Sequence, residues 1–372
     1  MKKRTWLFLG LLVVLCMGCS QGASKKSEEE HPVYRREIYG AFDTIISLST
    51  DGMSEEEAEK TFDRVEDRFR TLHNLFDRYH PDESVTNLAV VNRDAGDHPV
   101  AVSDELYDLV KFSKEAAKEI SPKVDIAMGT VIDVWNSHRE GHEGGIEGQT
   151  SEGGKATLPT DEELQEAAKH ANLDDVVLND TDHTISFKDP ALRLDVGAVA
   201  KGYATEIIAK ELEADGVKHF LISAGGNVRL IGHPADPKKK EYVVGIQNPE
   251  VLTDAEDGEN VLDTLYVHDT SVVSSGDYQR FYIVDGKLYH HILDPDTLYP
   301  GTHFRAVTLV TKDSGRADFL STAVFLLPYE EGRRLVESLD GVEAYWVFPD
   351  GKKEWTKGME PILGSLGATN ES

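Results

Sequence analysis

Asp195-Val196-Gly197-Ala198-Val199-Ala200-Lys201-Gly202-Tyr203 sets a carboxylate and an ammonium around two glycines, where a strand turns into a helix. Just ahead of it, Leu192 and Leu194 alternate with polar neighbours, the period-two mark of a strand, and Gly197 permits a tight turn. A helix opening near Ala198 would aim free backbone N–H groups at an anion. Lys201 adds a positive charge, Gly202 allows a close approach, and Asp195 can accept from a ligand hydroxyl or ring nitrogen. An N-cap aspartate followed by a solvated lysine is the plainer reading. Downstream, His290-His291-Ile292-Leu293-Asp294-Pro295-Asp296-Thr297 gathers imidazoles, carboxylates and a rigid proline turn within eight residues. Together the two stretches suggest a site for a phosphate-bearing ligand with an acid–base group beside it.

Working outward, Ser54 with Glu57 forms a capping box, followed by an apolar stripe of Phe62, Val65, Phe69, Leu72 and Phe76. Ser103 caps a second helix running through Ile120, and Thr160 with Glu163 opens a third, to about Ala171. The second half is rich in strands. Expected strands are Ile45–Leu48, Val176–Leu178, Ile185–Phe187, Leu192–Leu194, Phe220–Ser223, Val228–Ile231, Tyr242–Ile246, Leu265–Val267, Ser271–Val273, Phe281–Val284, Val307–Val310 and Ala344–Phe348. Helices are expected over 198–214, 317–327 and 329–339. The irregular alternation, with hairpin-like pairs, points to an α+β fold rather than a doubly wound parallel sheet.

The chain has 372 residues. Lys2, Lys3 and Arg4 precede an apolar run to Met17, and Gly18-Cys19-Ser20 then reads as a lipoprotein cleavage site with Cys19 lipidated. The expected organisation is a signal peptide over 1–18, a polar tether over 19–32, one folded domain over 33–350 and a C-terminal tail over 351–372. Residues 137–157, rich in Gly, Glu and His, read as a flexible insertion in which His138 and His142 are solvated. The protein would be extracytoplasmic and held to the membrane by lipid. A formal charge of −28, moving to about −31 once Lys2, Lys3 and Arg4 are removed, argues against a nucleic-acid partner. With Cys16 and Cys19 the only cysteines, the mature chain can form no internal disulfide.

Chemistry concentrates in the second half. On period-two logic His290 and His291 face opposite ways, so one of them, His291, is the general-base candidate. Asp318 and Thr322 are four apart on an expected helix and share a face; their oxygens suit Mg²⁺ with substrate phosphate completing the shell. Ser223-Ala224-Gly225-Gly226-Asn227 and Ser274-Ser275-Gly276-Asp277-Tyr278 read as turns able to approach phosphate or ribose oxygens, or as ordinary hairpin loops.

Taken in order, these segments resemble the FAD:protein FMN transferases, the ApbE-type flavin transferases. Phe42-Asp43-Thr44 stands where that family has M-G-T or F-D-T, and Arg78-Tyr79 with Ser84 and Asn87-Leu88 matches its Y-x(4)-S-x-x-x-L-like segment. Val124-Asp125 through Val134-Trp135 is similar to F-D-x-x-x-G-x-L-x-x-x-W, and Asp195–Tyr203 to D-x-G-x-x-x-K-G-y. Ser223–Asn227 matches s-x-G-G-d/n, Ser275–Tyr278 S-G-D-Y, His291–Pro300 H-I-x-D-P-x-T-x-x-P, and Asp318–Thr322 D-x-x-x-T. Departures are Leu298, where many members have Gly, Asp43 in place of Gly, and Val124 where Phe is common.

The resemblance implies an ApbE-like fold of mixed or antiparallel sheets flanked by helices. It also implies a Mg²⁺-dependent transfer of FMN from FAD to a Thr or Ser hydroxyl of a target flavoprotein, releasing AMP. By this analogy Phe42, Tyr79, Lys123, Val124, Asp125, Asp195, Lys201 and Ile292 would contact FAD. Ala198, through its carbonyl, with Asp318 and Thr322 would hold the metal, Ser321 assisting, and His291 would take the acceptor's proton. The acceptor would carry an S/T-G-A-T-like motif, which Gly364–Asn370 itself resembles, making Thr369 a candidate for self-modification. Two other readings remain: a non-catalytic lipoprotein that stores FAD, and a Mg²⁺-dependent pyrophosphatase giving FMN and AMP.

Overall fold

The computed structural model describes residues 31–82, 84–139, 157–250 and 260–370. The signal peptide, Cys19, the tether up to residue 30 and most of the expected insertion lie outside them. In chain order the elements are β1 (Tyr34–Ala41), β2 (Thr44–Thr50), α1 (Glu55–Phe76), α2 (Leu88–Asp94), β3 (Val100–Ala101), α3 (Asp104–Glu119), α4 (Gly129–Arg139) and α5 (Asp161–Ala168). Then come β4 (Val176–Asn179), β5 (Thr184–Phe187), α6 (Ala200–Ala214), β6 (His219–Ala224), β7 (Asn227–Gly232), β8 (Tyr242–Gln247), β9 (Val261–Val267) and β10 (Ser271–Gly276). The last are β11 (Phe281–Val284), β12 (Lys287–His290), β13 (Ala306–Thr311), α7 (Ser314–Leu326), α8 (Tyr329–Glu337), β14 (Glu343–Val347) and β15 (Lys353–Trp355).

The centre is an eight-stranded antiparallel sheet in the order β1-β2-β6-β7-β10-β13-β14-β15. Side chains alternate across it. Phe220 and Ile222 of β6 join Phe62 and Phe69 of α1 and Ile208 and Leu212 of α6 in one core. Val307 and Leu309 of β13 meet Leu320 and Val324 of α7 and Val336 of α8. On the opposite face Leu230, Val272 and Tyr345 pack against Leu265 of the β8–β9 hairpin and against Met359 and Leu363. The sheet is thus the middle of three layers, with helices on one side and a hairpin and the C-terminal segment on the other. A small sheet, β3-β5-β4, and the β11–β12 hairpin lie outside the main one.

The capping boxes form as read: Ser54 Oγ accepts from the Glu57 N–H at 3.3 Å and the Glu57 carboxylate accepts from the Ser54 N–H at 2.9 Å. Three expectations change. Leu192–Leu194 is not a strand; both leucines are buried, and the segment makes only an isolated parallel bridge through Arg193 to Met128. Its alternation reflects burial of every second residue without a partner strand. Ser274–Gly276 belong to β10 rather than to a turn, since their backbones pair with β13. The C-terminal tail is a folded segment: β15 pairs with β14, and Met359 and Leu363 are fully buried. Leu363→Ala is expected to destabilise the protein by about 2–5 kcal/mol, the range for a truncated core leucine. A lower urea midpoint would show it, whereas a free tail would leave the midpoint unchanged.

Candidate active site

Helices α6 and α7 cross at Gly202. Gly202 sits in the first turn of α6, where backbone N–H groups have no intrahelical partner, and its N–H donates to Asp318 Oδ2 at 2.8 Å. A Cβ at Gly202 would lie 2.3 Å from the Ser314 carbonyl oxygen, 2.5 Å from Asp318 Cβ and 2.7 Å from Asn227 Nδ2. Only glycine fits, and the crossing lets the first turn of α6 reach a carboxylate on α7. Ser314 Oγ donates to Asn227 Oδ1 at 2.5 Å, which orients the amide nitrogen toward the same spot. Beneath, Glu206 accepts from the Ser314 N–H at 2.8 Å and from the buried Arg229 guanidinium at 3.3 Å, locking α6, α7 and β7 together.

Burial pushes the Asp318 carboxyl above its usual range, opposed by Lys201, the Gly202 N–H and the Asn227 amide. The Lys201 ammonium is pushed down by burial and held up by Asp318. Thr322 is buried one turn beyond Asp318. Ser321 Oγ donates to the Asp318 carbonyl at 3.0 Å and lies 2.8 Å from Ser275 Oγ, so this hydroxyl ties α7 to β10. Among the described residues, the Ala198 carbonyl, just ahead of the N-cap Val199, accepts no backbone N–H. A carboxylate, a hydroxyl and a spare carbonyl are all-oxygen donors, a set that fits a hard divalent cation.

His290 and His291 divide as the alternation requires. His290 is buried, its Nε2 is 2.7 Å from the Gly301 carbonyl, and burial lowers its pKa to about 4. His291, just past β12, is exposed, yet its Nδ1 donates to the Arg280 carbonyl at 3.2 Å. That bond fixes the tautomer and leaves the Nε2 lone pair as the proton acceptor. Protein packed around the ring, then Arg280, His290 and Lys201, hold this imidazole well below its ordinary range. Arg280 also donates to the Asp43 carbonyl at 3.2 Å. Asp43 and Phe42 both have positive φ, 50° and 53°, and form the two-residue β1–β2 turn. Beside it lies the matching β6–β7 turn, where a Cβ on Gly225 would come within 2.3 Å of Thr44 Oγ1. Two abutting hairpin turns therefore explain the F-D-T and G-G-N segments.

The remaining candidates fall into two groups. Asp195 accepts from Arg78 at 2.9 Å and from the Gly197 N–H at 2.8 Å, while Arg78 also binds Asp133 at 2.8 Å and lies 5.0 Å from the ring centre of the exposed Tyr79. The Asp195 N–H reaches the Ile126 carbonyl at 2.8 Å, which brings Asp125 alongside. Burial raises the Asp125 pKa to about 6, and the neighbouring Ala127 N–H opposes that shift. Lys123 is bound to Asp294 at 2.7 Å and Asp296 at 2.8 Å, tying its loop to the one that follows His291. By contrast, the side chains of Phe42, Val124 and Ile292 are buried in the core. Phe42 packs edge-on against Phe69, His73 and Phe76. Ile292 joins Phe304 and Phe325. Their side chains shape the walls behind the site. Sequence reasoning passed over Arg280 and Asn227 as site residues; an arginine two residues after S-G-D-Y in so acidic a chain was the available signal.

The sequence pattern of the ApbE family matches residues 42–346. This chain belongs to the ApbE family. It is 30% identical to the FAD:protein FMN transferase of Treponema pallidum (strain Nichols), over 76% of this chain and 76% of that protein. Over 80% of this chain and 83% of the relative, it is 28% identical to an FAD:protein FMN transferase of Klebsiella pneumoniae (strain 342). The crystal structure of the ApbE protein from Thermotoga maritima superposes with a TM-score of 0.74 at 26% identity, covering 89% of this chain and 99% of that one. The flavin transferase ApbE of Vibrio cholerae shares the fold, with a TM-score of 0.72 at 22% identity over 89% and 100% of the two chains.

One departure from the ApbE pattern now has a physical reading. Leu298, standing where a glycine is common, has φ 63°. The left-handed backbone is kept without glycine because its N–H donates to the Asp294 carbonyl at 2.7 Å and its carbonyl accepts from Trp135 Nε1 at 2.9 Å. At the helix crossing, Gly202→Ala is expected to force α6 and α7 apart and cost about 1–3 kcal/mol, as overpacking does. Equilibrium denaturation checks this; an unchanged midpoint would mean the crossing is loose.

Proposed function

We propose that this chain transfers the FMN half of FAD to a threonine or serine hydroxyl of a target protein, forming a phosphoester and releasing AMP, with Mg²⁺ bound. The observation that carries this reading is the buried Asp318 carboxylate facing Lys201, beside a neutral His291 whose Nε2 lone pair is open. Asp318, Thr322 and the Ala198 carbonyl would hold the cation, Ser321 keeping Asp318's turn in place. When bound, Mg²⁺ supplies charge neutralisation at the pyrophosphate.

The chain's own residues account for the rest. Lys201 holds a phosphate oxygen, and Arg280 adds positive field at the same mouth. His291 Nε2 takes the proton as the acceptor oxygen bonds to the FMN phosphorus, and the bond from that phosphorus to the AMP oxygen breaks. Tyr79, Asp125 and Asp195 line the approach and receive polar groups of the dinucleotide; the carboxyl of Asp125, raised by burial and without a cation partner among the described residues, is poised to meet a ligand N–H or O–H. Phe42, Val124 and Ile292 act through backbone and packing. The acceptor would carry an S/T-G-A-T-like motif, and a lipid on Cys19 would hold the enzyme on the extracytoplasmic face of the membrane. The matches to proteins named FAD:protein FMN transferase support this reading.

Intact mass after incubating the protein with FAD, Mg²⁺ and an acceptor peptide tests the reaction. A peptide gain equal to FMN is expected, absent without Mg²⁺ and in Asp318→Ala, and reduced about 10²–10⁴-fold in His291→Ala. Bound FAD without any peptide gain would favour storage, and free FMN with AMP would favour the pyrophosphatase. A second check reads the imidazole itself. In the free protein His291 should titrate below the ordinary histidine value of about 6.5, because its charged form is disfavoured by the protein packed around the ring and by Arg280. Adding FAD brings negative phosphate close and should move that pKa upward. An NMR titration insensitive to FAD would remove His291 from the ligand's neighbourhood.

A further inference from the structure

A second group of metal-binding side chains lies at the far end of the central sheet. His233 follows β7, Glu241 precedes β8 and His268 follows β9, and one ligand atom from each lies within 4.8 Å of the others. The backbone brings them together. Tyr242 pairs with Val267 across the β8–β9 hairpin, so Glu241 and His268 are its next neighbours. The Asp269 N–H donates to the Gly232 carbonyl at 2.9 Å, which draws the end of β7 to the same place. His233 and His268 stack with ring centres 3.8 Å apart, and His268 Nδ1 lies 2.7 Å from the Glu241 carboxylate.

We propose that His233, Glu241 and His268 form a binding site for a divalent transition-metal cation of the Zn²⁺ class. Two imidazoles and one carboxylate are a donor set that suits zinc, with water completing the shell, and imidazole nitrogen is a poor partner for Mg²⁺. His233 is already oriented as a ligand: its Nδ1 donates to the Lys240 carbonyl at 2.8 Å, which leaves the Nε2 lone pair free. His233 and His268 are exposed, so a cation has access. The neighbouring Lys239 is 3.8 Å from Asp236, and the chain's charge of −28 favours cation capture.

This site is separate from the one at Asp318. Asn227 and His233 stand at opposite ends of β7, and six residues of strand span about 20 Å. A bound ion would join the β7–β8 connection to the β9–β10 turn. Because the Glu241 N–H donates to Asn370 Oδ1 at 2.9 Å, it would also brace the C-terminal segment. The assignment is independent of the flavin-transfer reading.

The test is a Co²⁺ titration of the whole metal-stripped protein in excess Mg²⁺, read by visible d–d absorption and followed by Zn²⁺ displacement. One saturable Co²⁺ equivalent is expected, displaced by Zn²⁺ and weakened about tenfold or more in His233→Ala and in His268→Ala. His268→Gln, which can still hydrogen-bond Glu241 but lacks an imidazole, should lose the same affinity with the fold intact by circular dichroism. Absence of saturable binding, or binding unchanged in the double variant His233→Ala/His268→Ala, overturns the proposal.

Discussion

A single hydrogen bond, from the Gly202 N–H to Asp318, sets the architecture of the site. It exists because glycine lets two helices touch at the level of their backbones, and because the first turn of a helix has N–H groups free for partners outside it. The acidic group is thereby carried into the interior with a donor already facing it. Lys201, one residue earlier, then has to share that interior, and the two groups restrain each other's tendency to lose charge. Carboxylate and ammonium meet at one helix end because of a missing side chain.

The α+β class and most of the central strands could be read from period-two alternation, and the long helices from capping boxes and apolar stripes. Such signals are local, and local signals are what a single chain displays. What escaped notice depends on partners distant in sequence. Leu192–Leu194 alternates like a strand but finds no neighbour to pair with. Met359 and Leu363 are flanked by Gly358, Glu360 and Gly364, and only the sheet face made by β7, β10 and β14 reveals that they are core.

The site shows the same division. His291, Asp318, Thr322 and Lys201 were visible because their chemistry is scarce and their spacing informative. Phe42, Val124 and Ile292 were read as ligand contacts, whereas their side chains fill the core behind the walls. A resemblance carries position along the chain, but it cannot say which way a side chain points. Arg280 has no motif of its own; its influence comes from lying beside His291 and the Asp43 turn, a proximity created by the β11–β12 hairpin.

The strand order of the central sheet has one further consequence. Its eight strands succeed one another across the sheet in the order they occur in the chain, from β1 at one edge to β15 at the other. A polypeptide emerging from its N-terminus can therefore lay each new strand against an edge that is already in place, and no strand has to be inserted between two earlier ones. The growing side of the sheet always offers an open edge, which the next strand to emerge can cover. Asp318 comes after β13, sixth of the eight, so a nascent chain builds its scaffold well before it acquires the carboxylate that could engage a ligand.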